Sequence, residues 1–440
     1  MSGLASIGAS AIKAYQTALA TVSSNVANSQ TPGYVRRTTS LAELPPGGDR
    51  NLPRFNGVVT TAVTRQYDAY LSENVRRQTS EAATANSRSD GLTRIEQSLD
   101  LLKDGIGTSI GRFYDAAQSL AAQPSSVASQ RIFRDSLAEA ARQFRTTASA
   151  VSQTAAELMD AAEAQRSAAN EELANLALVN GRIQRERPGS AAHASLLDER
   201  DRLLDGLSSR LAVTTTFAEN GMVRIEAAQS SVALLDGVKP SVLTLERGQP
   251  GAVIRATSDA GTMTFSAAGG SIAGMLLAAR TAELRIAEID QLADDFATHV
   301  NMWSAQGLTS TGQPGSTLLS GASASELETA PGLDGALPMQ GNGQANGNLL
   351  ALIGNRASAG FEARWTEIAG GHSMTTASAR AQAKLLDATL EAATLKRAEL
   401  SGVDLDREAA DLMRYQQAYN AAARILKTAD DVINTILNIA

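Results

Sequence analysis

The chain has 440 residues, 43% of them apolar but only 4% aromatic, with 11 prolines. Such a length suits about two to four domains, and such a composition suits long helices packed through small side chains. A formal charge of −7 with no aromatics interleaved among basic clusters argues against a nucleic-acid binder, and the absence of cysteine removes disulfides, thiolate catalysis and thiolate metal sites. No apolar run of about 18 residues offers a membrane-inserted segment.

The first predicted helix carries apolar or small residues at Leu4, Gly8, Ala11, Tyr15, Ala18, Val22 and Val26, in alternating steps of four and three. That is the spacing of a helix with one narrow seam. Lys13 is its only charged side chain before Arg36. A solvent-facing helix normally bears charge on its outer face, so most of this surface is expected to be covered by protein. The helix should stop at Thr31-Pro32-Gly33-Tyr34. Pro32 presets φ at the second position of a type II turn, and Gly33 supplies the positive φ of the third. Asn25 and Asn28 admit two readings here: caps of the helix end, or amides bonded across a packed helical interface that fix its register, as a buried heptad asparagine does.

Residues 38–62 read as extended or irregular, with a break at Pro45-Pro46-Gly47-Gly48. Helix is predicted over about 64–102, 108–122, 125–180 and 190–210. Two β-prone runs flank Asn220-Gly221, a strong short hairpin signal, and the same texture continues to 268. Helix returns over 270–306. Residues 307–348 are rich in Gly, Ser, Thr, Asn and Pro and read as a loose loop. Two last helices cover about 357–400 and 404–438. Asp404 is placed to cap the second, with Asp406 and Glu408 suiting its positive end. Along it Leu405, Leu412, Tyr419, Leu426 and Ile433 repeat every seven residues. Glu408, Tyr415, Ala422, Ala429 and Ile436 form the companion row, a seam interrupted only by the glutamate. The two ends can satisfy each other, neighbouring copies, or both. The expected organisation is a mainly α protein with an inserted β domain (α+β), the terminal heptad helices forming a coiled-coil core. Its segments are an axial helix and connector (1–60), a helical domain (61–210), a β insertion (211–268), a returning helix (269–306), a loop-rich excursion (307–356), a last helical part (357–400) and a C-terminal axial helix (401–440).

No catalytic constellation stands out. His193, His299 and His372 lie far apart without metal spacing. The glycines of 341–347 lack the ending of a phosphate loop. The carboxylates Asp198-Glu199-Asp201, Asp294-Asp295 and Asp430-Asp431 read as solvated helix faces. No cofactor and no metal is expected.

The stretch SSNVANSQTPGYVRR (23–37) resembles the N-terminal signature of bacterial flagellar axial proteins, the rod, hook and hook-associated subunits. SGVDLDREAADLMRYQQAYNAAARILKTADDVINTILNI (401–439) is similar to their C-terminal signature, closest to the hook-associated subunits that join hook to filament. The departure is Val35-Arg36-Arg37, where the group often has Ser-Arg-Gln. The resemblance implies a structural subunit of the flagellum, not an enzyme, exported without a cleaved signal peptide and lying outside the cell at the hook–filament junction. It implies as partners copies of the chain in a ring, the hook protein, the other hook-associated junction protein, and a cytosolic export chaperone on the C-terminal helix. Assembly contacts are then expected from Ile7, Leu19 and the rest of the first seam, from Asn25, Asn28 and the turn Thr31 to Tyr34, and from Leu405, Leu412, Tyr415, Gln416, Tyr419, Leu426, Ile433, Ile436 and Leu437. The termini also leave open a hook subunit or a flagellum-associated peptidoglycan hydrolase.

Overall fold

The computed structural model describes residues 2–43, 57–99, 105–248 and 252–437. Helix α1 (Ser2–Ala27) leads into an antiparallel pair, β1 (Arg37–Glu43) and β2 (Val58–Arg65), whose register shifts between Ser40 and Leu41. Of the two readings of that segment, extended or irregular, the described part takes the extended one, as a pair of hairpin arms built from the β-branched runs Thr38-Thr39 and Val58 to Thr64. Pro45 to Gly48 lie outside the described residues. Thr64 and Arg65 belong to β2, so the next helix, α2 (Ala69–Ser98), starts later than its sequence suggests. It starts at Asp68, whose side chain accepts from Leu71 N at 2.9 Å.

Helices α3 (Ile106–Ala122), α4 (Val127–Arg185) and α5 (Ala191–Arg210) follow. Ser126 and Ser190 cap α4 and α5 through their hydroxyls. No proline interrupts the 59 residues of α4, which run about 90 Å at 1.5 Å per residue. Its first half contributes Phe133, Phe144 and Val151 to one core, its second half Leu173, Leu176 and Ile183 to another. Both cores are thus mounted on one helix.

The second core closes on two antiparallel sheets. One runs β3 (Val213–Phe217), β4 (Val223–Ala227), β5 (Ala233–Asp236) and β6 (Lys239–Pro240). The other runs β7 (Val242–Arg247), β8 (Ala252–Ser258) and β9 (Gly261–Phe265). The Asn220-Gly221 signal does mark a hairpin, with the loop closed by Ala218 N bonding Met222 O at 2.9 Å. Helix α6 (Gly270–Gln306) carries the chain back to the first core.

The segment after α6 departs from its reading as a loose loop. It holds little regular structure beyond the two-residue strands β10 (Leu319–Ser320) and β11 (Glu328–Thr329), yet Leu318, Leu319, Leu327, Leu333 and Leu337 are all buried in the first core. Besides short backbone pairings, side chains hold its backbone. Asn301 Oδ1 accepts from Leu318 N and Leu319 N, and Arg134 donates to Leu333 O and Gly335 O. The leucines follow no helical or strand period, so local pattern could not find them. Helices α7 (Gly347–Gly354), α8 (Arg356–Ala359), α9 (Phe361–Ser401) and α10 (Leu405–Leu437) complete the chain.

Small side chains pack much of the helical interface, and alanines are common in the first core too, but an aromatic cluster stands at its centre. Phe113, Phe133, Phe144, Phe296 and Phe361, five of the eight phenylalanines, meet there with ring centroids 5.3 to 5.7 Å apart. Beside them, buried His372 sets Nε2 2.9 Å from Leu92 O, while His299 stacks edge-on to Phe361. Burial holds both imidazoles below the ordinary histidine value. The unfolded chain therefore binds more protons once pH drops under about 6.5, so stability present above that value is lost as pH falls toward the folded values. Urea melts of the parent should weaken between about pH 6.5 and pH 5. The His372→Gln variant should lose part of that slope, and an unchanged slope would remove the imidazole from the account.

Candidate assembly interface

Helices α1 and α10 pack antiparallel, away from both cores. Gly8 faces Leu426, Tyr15 faces Tyr415 with ring centroids 6.5 Å apart, and Asn25 faces Glu408. The inner seam is small where the helices come closest. A Cβ added to Gly8 would lie 3.2 Å from both the Leu426 nitrogen and its Cβ. Ala18, Val22 and Asn25 are buried on α1, and Glu408, Ala422 and Ala429 on α10. Ile7, Ala11, Tyr15 and Leu19, with Leu412, Tyr415, Tyr419, Leu426 and Ile433, are half-buried around them.

The ends of the expected seam do not follow. Leu4, Val26 and Leu405 are exposed, as is Gln416. An α-helix of 3.6 residues per turn drifts about 20° per heptad from a 3.5-residue repeat, so the outermost positions rotate off the contact. The side chains of Ile436 and Leu437 lie outside the described residues. A second buried face of α1, absent from the sequence reading, turns to the β1–β2 arms, where Thr39 Oγ1 donates to Thr21 Oγ1 at 3.1 Å.

The turn after α1 has the anticipated form. Tyr34 N donates to Thr31 O at 3.1 Å and Gly33 sits at φ +81°, a backbone region closed to most side chains. Thr31, Pro32 and Gly33 are exposed, and the turn rests on α5, with Arg202 beneath Gly33. The two asparagines divide between the two readings. Asn28 serves the helix end, donating to Ser24 O at 2.9 Å and accepting from Thr31. Asn25 is fully buried and crosses the interface. Its Nδ2 donates to Arg37 O at 2.8 Å and Glu408 Oε2 at 2.9 Å, and its Oδ1 accepts from Arg37 N and the Tyr34 hydroxyl. Every hydrogen-bonding position of that amide is used. Burial raises the Tyr34 hydroxyl above the ordinary tyrosine value.

Glu408, which breaks the apolar row in sequence, is the pivot of this junction. Its side chain is 0% exposed and Arg36 Nε lies 2.6 Å from Oε1, while Arg36 Nη2 reaches Asp411 at 3.2 Å. Arg36 N also donates to Ser401 O. One residue on, Arg37 stacks its guanidinium over Tyr34 and bonds Asp198 at 2.6 Å. Arg65, its neighbour across the β1–β2 pair, lies 2.7 Å from Asp198 and 2.6 Å from Asp201, and Arg200 closes the chain on Asp201. Asp198 and Asp201 are therefore not a solvated face, as read from sequence, but the α5 side of a largely buried ion-pair relay. Burial pushes the Asp198 carboxyl above its ordinary range against the pull of Arg65 and Arg37. Asp404 caps α10, accepting from Asp406 N at 3.0 Å. Among the described residues no group of His, Cys, Asp and Glu is placed to hold a metal ion.

The helical-domain model of the flagellar hook-associated protein FlgK matches residues 92–319, just over half of the chain. The chain belongs to the FlgK family of flagellar hook-associated proteins. Two flagellar basal-body rod models match its ends, residues 6–34 and 396–439, which take in most of α1 with its turn and all of α10. Flagellar hook-associated protein 1 of Bacillus subtilis is 23% identical over 97% of this chain and 96% of its own length. The proteins of that name from Escherichia coli and Salmonella typhimurium are each 27% identical over 52% of this chain and 42% of theirs. The solved flagellar hook junction protein FlgK from Burkholderia pseudomallei aligns with a TM-score of 0.49 at 19% identity, over 56% of this chain and 46% of that one. As a FlgK-family member the chain is a structural subunit of the flagellum, mainly α with an inserted β region.

Proposed function

We propose that this chain forms the junction between flagellar hook and filament, as a ring of copies joined through their terminal helices. Its neighbours in this reading are the hook protein on one side and the other hook-associated junction protein on the other. The supporting observation is the outer surface of the α1–α10 pair. The inner face is closed within the subunit, yet Leu4 and Val26 of α1 and Leu405, Met413, Ile425 and Val432 of α10 are 40 to 59% exposed, and α1 presents no charge besides Lys13. Apolar surface left open on a helical pair calls for further protein, and head-to-tail contacts between copies close into a ring. Before assembly the same α10 surface suits a cytosolic export chaperone, and the reading requires no catalytic step.

Neither core draws on α1 or α10. Deleting residues 2–27 should thus leave a folded, helical body by circular dichroism that fails to enter flagella. Immunogold labelling of the full chain should mark only the hook tip. Filament growth supported by the truncated chain would overturn the role of α1, and label along the whole hook would favour a hook subunit.

A further inference from the structure

Helix α9 carries two apolar faces. The inner one, with Phe361, Trp365, Ala369, Ala379 and Ala383, is buried, and the helix packs mainly on α2. The outer one is open. Met374, Ser378, Ala381, Leu385, Ala388, Ala392 and Leu395 follow one another in steps of four and three, and every one of them is exposed. That is the spacing of a coiled-coil seam, here about 30 Å long at 1.5 Å per residue. Met374, Leu385 and Leu395 are 76, 65 and 59% exposed. Large apolar side chains in one open row call for further protein.

The flanks of the row say which protein. Lys384 and Glu391 stand seven residues apart on one flank, both exposed and, among the described residues, without an ion-pair partner. The other flank has Gln382 and Thr389 at the same level and no charge before Lys396. In an antiparallel helix pair, the same flank of each helix meets its counterpart. Laying Leu385 of one copy on Ala388 of another then sets Ala381 on Ala392 and Ser378 on Leu395. Each leucine meets a small side chain, so the helices hold an even separation. The same register brings Lys384 of each copy to Glu391 of the other, twice over. A parallel pair would instead stack leucine on leucine and alanine on alanine, with wide and narrow layers alternating, and would leave Lys384 opposite Thr389.

We propose that the outer face of α9 is a self-pairing surface, whose partner is α9 of a second copy lying antiparallel and centred between Leu385 and Ala388. The contact is isologous, unlike the head-to-tail contacts of a ring. It uses neither α1 nor α10 and does not rest on the junction reading.

Sedimentation of the full chain at low salt, over about 1 to 100 µM, tests it. The parent should pass from monomer to dimer across that range. Lys384→Glu should weaken the dimer at least about tenfold, because two attractions become two repulsions, and Glu391→Lys should do the same. Combining the two substitutions should restore the parental dimer, since the charges are only exchanged. Leu385→Glu should stay monomeric throughout. All four positions of change are exposed, so circular dichroism should match the parent in every variant. A parent that remains monomeric, or a dimer indifferent to Leu385→Glu, would overturn the proposal. So would a double exchange that fails to restore pairing, the result expected of parallel helices, where Glu391 meets Lys396.

Discussion

Arg36→Ala releases the two terminal helices from each other while the body stays folded. In the parent, the Glu408 carboxylate is wholly buried with Arg36 2.6 Å away and Asn25 at 2.9 Å. Removing the arginine leaves a buried charge with a single amide donor, and breaking a buried pair in this way costs about 3 to 5 kcal/mol. That exceeds what one short helical contact with a glycine and alanine seam can absorb, because an isolated helix is marginal in water. Amide exchange across α1 and α10 should therefore accelerate by two orders of magnitude or more, with α2 to α9 unaffected. The paired replacement Arg36→Met with Glu408→Leu should recover most of the protection, since an apolar pair of similar volume avoids the desolvation penalty. If α1 and α10 exchange as slowly in Arg36→Ala as in the parent, the latch carries no weight.

The second large effect falls on the body. Phe296 touches Phe113, Phe144 and Phe361 at centroid distances of 5.5 to 5.7 Å and is fully buried. Phe296→Ala removes the ring that joins α3, α4 and α9 and leaves a cavity, at a cost of about 3 to 5 kcal/mol. Denaturant melts followed by circular dichroism should show the midpoint falling by that amount without loss of helix beforehand. A loss below about 1 kcal/mol would mean that neighbouring rings collapse into the space. The two substitutions should be additive, because Phe296 and Arg36 belong to separate packing units.

Much of this architecture was legible because its signals are local. The bounds of α6, the turn at Thr31 to Tyr34 and the heptad rows of both ends each depend on residues within a few turns of one another. What escaped the sequence depends on distant partners. Glu408 looks like a flaw in an apolar row until Arg36 and Asn25, more than 370 positions away, are placed against it. Asp198 and Asp201 have the spacing of a wet helix face, and only the arrival of Arg37 and Arg65 on the hairpin makes them interior. The leucines from 318 to 337 show the same limit for apolar groups, since irregular backbone can enter a core when Asn301 and Arg134 satisfy it.

Helix α4 has a mechanical consequence. A subunit whose two cores were joined by a loop would flex between them, and a load on one would dissipate before reaching the other. Here the cores share the unbroken 59-residue helix α4 and the returning helix α6, so bending one against the other strains continuous helix and not a loop. The body behaves as a strut. A load at the hairpin arms, where Arg37 and Arg65 grip α5, should therefore be carried along α4 and α6 toward the far core.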